Sequence, residues 1–145
     1  MVEVEIRGKK FPLCLTVAAL DQINAKCGGM KGISAFLDGA DQIFQISPQR
    51  STPDEGGNAG KAICNTAWML ALLIREGEEN RFACARLDGE QAEHRAVPDL
   101  DTINHLLTVA SVNKYRLAVI QAVNESMKQE VEALYPKNVK DAEQG

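Results

Sequence analysis

Two histidines, four cysteines and several pairs of neighbouring carboxylates are the side chains of this 145-residue chain whose types suit catalysis or metal binding. Their spacing argues against both. His94 lies in the polar stretch Glu90 to Arg95 and is expected to face solvent, whereas His105 precedes Leu106 in a helical pattern and is expected at a packed boundary. Cys14, Cys27, Cys64 and Cys84 include no CxxC pair, so no close set nucleates a tetrahedral zinc site. They are expected as buried free thiols, since cysteine packs as a small hydrophobe. The pairs Glu3/Glu5, Asp54/Glu55 and Glu78/Glu79 fall on a strand face, a loop and a helix end, where solvation explains them without a cleft to shift their pKa values. Gly56-Gly57-Asn58-Ala59-Gly60-Lys61-Ala62 looks at first like a phosphate-binding loop. It has too few residues between its glycines, no hydroxyl after the lysine and no buried strand before it. No catalytic residue, cofactor site or metal site is expected.

The totals narrow the class further. Twenty acidic against sixteen basic residues leave a formal charge of −4, and no run of Lys and Arg offers the basic face that nucleic-acid binding needs. No stretch approaches the roughly 20 apolar residues that cross a bilayer. The opening Val2-Glu3-Val4-Glu5 carries no signal-peptide pattern, so a reducing cytoplasm is the expected compartment. The length suits a single domain, expected over residues 1–136 with a frayed tail at 137–145.

The element around which the chain is organised is the helix Ala62 to Arg75, AICNTAWMLALLIR. Ile63, Ala67, Leu70 and Ile74 line one face while Trp68, Leu72 and Leu73 cover the others, and a helix apolar all round is one buried by neighbours. Trp68 is read as core, with an interface anchor as the alternative. Upstream, Val2, Val4 and Ile6 alternate with charged residues, Gly8 marks a turn, and Phe11, Leu13 and Leu15 alternate again. This predicts an N-terminal hairpin with Pro12 on a sheet edge. Thr16 is a candidate N-cap for a helix over Val17 to Cys27 with Val17, Leu20, Ile23 and Cys27 on one face. A short apolar piece holds Ile33, Phe36 and Leu37, and Ile43, Phe44 and Ile46 form a cluster that fits helix or strand.

From Ser47 to Gly60 the Ser, Pro, Gly and Asn content predicts a mobile loop with at most a helical turn. Thr52-Pro53-Asp54-Glu55 nonetheless has the form of a capping box, which would start the core helix at Pro53 rather than Asn58. The chain is expected to turn at Glu76-Gly77, and 80–97 fits a second small hairpin or a short helix from Glu78 to Leu87. Asp99 should cap a helix holding Leu100, Ile103, Leu106 and Leu107. A long helix follows from Val112 to about Leu134. Its stripe Tyr115, Val119, Ala122, Val123, Met127, Val131 and Leu134 is longer than a domain of this size covers. Tyr115, Val119, Val123, Met127 and Leu134 are therefore candidate partner-binding residues, for a second copy or for another protein. The fold class is α+β, mainly α: an N-terminal hairpin packed on a core of four to five helices around a central apolar one.

The order of these elements carries a resemblance. VEIRGKKFPLCL feeds TVAALDQINAKCGG; after a loop come AWMLALLIREG, the small element RFACARLDGE and the acid-capped pair PDLDTINHLLTVASVNKYRLAVIQAVNESM. From Val2 to about Met127 the chain resembles the tail assembly chaperones of long-tailed bacteriophages and prophages. The resemblance implies a mainly helical, non-enzymatic protein of the bacterial cytoplasm. Such a protein binds the tape measure protein, keeps it soluble and helps to recruit tail tube protein; many members also exist in a longer frameshifted form. The Ser47 to Gly60 loop departs from the family's compact helical pattern, and no family motif fixes a site residue here. The competing expectations are a self-associating tail completion or connector subunit, and a small bacterial adaptor or regulatory domain.

Overall fold

The computed structural model describes residues 1–39 and 55–134, and the side chains of 55–59 and 129–134 are not part of that description. The fold class is as expected, α+β with helices dominant. Strand β1 (Glu3–Ile6) pairs antiparallel with β2 (Lys9–Pro12), Val4 opposite Phe11 and Ile6 opposite Lys9. Arg7 and Gly8 both take positive φ, 52° and 81°, the backbone of a two-residue hairpin turn whose twist matches the strands. Five helices follow among the described residues: α1 (Leu20–Cys27), α2 (Ile33–Leu37), α3 (Glu55–Leu87), α4 (Leu100–Leu106) and α5 (Val109–Leu134). The apolar cluster at Ile43, the capping-box residues Thr52 to Asp54 and the 137–145 tail lie outside the described residues.

Helix α3 is the centre of the molecule. Thr66, Ala67 and every residue from Met69 to Ile74 are buried, and Trp68 is half-buried against Phe36, ring to ring at 5.6 Å and 79°. The hairpin, α2, α4 and α5 pack against it and α1 adds Ile23 and Cys27 to the same core, so the apolar pattern of its centre is explained by neighbours rather than by lipid. No helix among the described residues is long and apolar enough to cross a membrane.

The helix is longer at both ends than its apolar centre announces. At its start, Glu55 to Gly60 is helical, so this part of the expected loop is corrected to helix. Gly56, Gly57 and Gly60 each cost a helix about 1 kcal/mol, which the cooperative extension of an already packed helix tolerates. At the other end there is no turn at Gly77 and no second hairpin; the helix runs on to Leu87 and closes at Asp88-Gly89. Gly77 is there for close approach. A Cβ on it would stand 1.9 Å from the Pro12 carbonyl oxygen, and beside it the Cys14 amide donates to the Leu73 carbonyl at 3.3 Å. The strand exit thus lies directly on the helix backbone, where a side chain would push it off.

Two further boundaries differ. Val17–Ala19 is a 3-10 turn and α1 begins only at Leu20, which turns Ala19, Ile23 and Cys27 inward and leaves Val17 exposed and Leu20 at the surface. Thr16 makes no cap; its hydroxyl donates to Glu76 instead. The last helix starts at Val109 because Thr108 and Ser111 cap it reciprocally, each side-chain oxygen accepting from the other's amide. Asp99 caps α4 as expected, its Oδ1 accepting from the Thr102 amide at 2.8 Å.

Candidate partner-binding groove

The first half of α5 is covered by the chain's own core. Val119 is wholly buried and Val123 nearly so, while Tyr115 is half-buried with its hydroxyl donating to the Glu5 carbonyl at 3.0 Å, tying helix to hairpin. Tyr115 and Val119 thus serve the fold, because α3 and the hairpin occupy the face that the stripe pattern left unassigned. Leu134's side chain lies outside the described residues. Of the five candidates, Met127 is the one left 42% exposed, with Val123 on the floor beside it.

Around Met127 the molecule has two adjoining pockets that together form a groove of two parts. One, of about 430 Å³, is lined by Leu15, Val17, Leu20, Met30, Ser126 and Met127 among others. The other, of about 330 Å³, runs between Met30, Lys31, Ile33 and Leu37 on one wall and Arg116, Ile120, Asn124 and Met127 on the other. Met30 and Met127 line both parts. The unbranched, polarizable thioether adapts to irregular surfaces, and methionine is over-used where a surface must accept a partner side chain.

The groove is built by tight backbone geometry. Met30–Gly32 forms a 3-10 turn folded against the end of α1, and a Cβ on Gly32 would stand 1.8 Å from the Cys27 carbonyl oxygen. That contact sets Met30 opposite α5. At the far end Arg116 reaches across to the Leu37 carbonyl and the Asp38 carboxylate, fixing the end of α2 to α5. At the near end the Leu15 amide donates to the Ser126 hydroxyl at 3.1 Å. The walls are thus held from both ends while the apolar floor stays open.

Chemistry-bearing side chains are placed otherwise. Burial pushes the Cys14 thiol up, against a lowering hydrogen bond from Ser126, and burial pushes Cys27 up to about 11. Cys64 and Cys84 are exposed, which corrects the expectation of four buried thiols. His105 is exposed rather than packed, its Nδ1 2.8 Å from the Asp101 carbonyl oxygen. His94 is half-exposed and stacked on Phe82 at 3.7 Å, with Nε2 3.2 Å from Glu79. Glu78 is corrected from a solvated helix end to a buried anchor. It takes Arg81 at 2.7 Å and the Arg95 amide at 2.7 Å, and the hydrogen bond from Arg81 holds its carboxyl below the usual carboxylate range. These contacts bind the segment after Gly89 to α3. The Gly56 to Ala62 stretch is helix, which offers no loop to cradle a phosphate. Among the described residues no three His, Cys, Asp or Glu side chains are grouped to hold a metal ion.

Helical spacing after Thr16 points the groove residues Val17 and Leu20 inward, and Met30 belongs to no periodic stripe. The signal that would have found them is the Gly-Gly-Met-Lys-Gly run after Cys27, which demands a tight turn beside the helix end. Comparison with protein-family models, curated proteins and solved structures returned no match to the chain.

Proposed function

We propose that this protein is a non-enzymatic tail assembly chaperone of a long-tailed phage or prophage, acting in the bacterial cytoplasm. It holds the tape measure protein in a soluble state until tail tube protein surrounds it. The observation that carries the reading is the open apolar groove between the Met30 turn and α5, with Met127 as its exposed centre. Support also comes from the resemblance of the residues from Val2 to Met127 and from the net negative charge, which favours solubility of a complex carrying an apolar client. A long client rich in apolar helical segments needs a helix-receiving groove rather than a reaction centre. Co-expression with the tape measure gene of the same genome tests the proposal. The client is expected in the soluble fraction, co-purifying with this chain; an insoluble, unbound client rejects it.

A further inference from the structure

The charges around the groove are unevenly used. Among the described carboxylates beside it, Asp38 is engaged by Arg116, Glu125 by the Met1 amine at 3.7 Å, and Glu76 by Thr16 and Arg75, while Asp21, exposed next to Leu20, lies outside the groove lining. None of the described residues lining either part of the groove is acidic. Lys31, in the wall of the second part, is exposed and has no carboxylate partner among the described residues. Lys128 is likewise exposed and unpaired among them; it stands one turn beyond Asn124, at the i,i+4 position that continues the same wall. In a chain of net charge −4, the described residues that line the groove or continue its α5 wall therefore present free positive charge, at Lys31 and Lys128.

From this we infer that the groove takes an amphipathic helix of another protein whose apolar stripe is flanked by carboxylates, and that Lys31 and Lys128 select it. The inference rests on the groove being the client-binding face and adds the client's charge pattern. The apolar stripe lies on Leu20, Met30 and Met127, and the flanking carboxylates reach the two ammonium groups at the rim. Rim charges of this kind set partner choice and encounter rate more than total affinity. A helix with basic flanks would meet like charge and be disfavoured.

The test uses two fluorescein-labelled helical peptides of about 18 residues with an identical Leu and Ala stripe, one flanked by Glu and one by Lys. Anisotropy titration against the full chain at low salt should show the Glu-flanked peptide binding about fivefold tighter, as two exposed ion pairs allow, with the difference shrinking as salt rises. A double variant, Lys31→Glu with Lys128→Glu, should reverse the order without a change in melting temperature. Met127→Glu should weaken both peptides. Equal affinities, a preference for Lys flanks, or no binding of either peptide overturns the inference. So does sedimentation showing that a second copy of this chain occupies the groove. Tape measure protein solubilised without any Glu preference rejects the charge rule while leaving the chaperone reading standing; Glu-selective peptide binding without solubilisation does the reverse.

Discussion

Gly77 of α3 lies against the Pro12 carbonyl so closely that a Cβ on it would stand 1.9 Å from that oxygen. The clash would be with backbone on both sides, so neither partner can swing away. Gly77→Ala is expected to destabilise the fold by about 1–3 kcal/mol, the cost of forcing a packed contact, although alanine is the better helix former. Gly60, in the same helix, has nothing within 4 Å of its would-be Cβ. Gly60→Ala should therefore stabilise by about 0.5–1 kcal/mol. Urea unfolding of the two variants measures both signs.

This pair also shows what could be read ahead of the fold. The hairpin, the Asp99 cap, Ile33 with Phe36 and Leu37, and the buried centre of α3 were legible because local periodicity and a cap residue specify each of them. The run of α3 through Gly77 to Leu87 was not. Glu76, Gly77 and Glu78 read as a polar stop, yet all three are buried, because Thr16, Pro12 and Arg81 come to them from elsewhere or fold back onto them. The groove was half legible. Met127 stands out on its stripe, but helical spacing from Val17 points Val17 and Leu20 inward, whereas the segment begins with a 3-10 turn that leaves both at the surface.

Glu78 should give the protein an acid-sensitive segment. Its folded pKa is held down by Arg81, so on acidification the unfolded chain takes up the proton first. The stabilisation is complete above the unfolded value of about 4.3 and is lost as pH falls through the lower, folded value. Glu78→Gln should lower stability at pH 7 and flatten the dependence of the melting temperature on pH below about pH 5. A parallel pH slope in variant and wild type would show that Glu78 carries none of it.

The four thiols should separate by accessibility. Iodoacetamide at pH 8 is expected to label exposed Cys64 and Cys84 first and half-buried Cys14 later. Cys27, buried and with its pKa pushed up to about 11, should label only on unfolding. Peptide mass spectrometry over a time course gives the order.

Phe36 is buried edge-on to Trp68, the single tryptophan. Phe36→Ala leaves a cavity beside the indole and should cost about 3–5 kcal/mol. Tryptophan emission should shift to the red while helical circular dichroism persists at low temperature. An unshifted spectrum would mean that the ring pair does not define the Trp68 environment.

The most direct test of the central claim is co-purification of the tape measure protein with wild-type chain and with Met127→Glu, expressed side by side. The account predicts soluble client bound to wild type and a loss of at least about 2 kcal/mol of affinity for Met127→Glu, as for a hot-spot residue, with the melting temperature unchanged. Client bound equally by both would contradict the groove as the binding face, and client bound by neither would contradict the chaperone function itself.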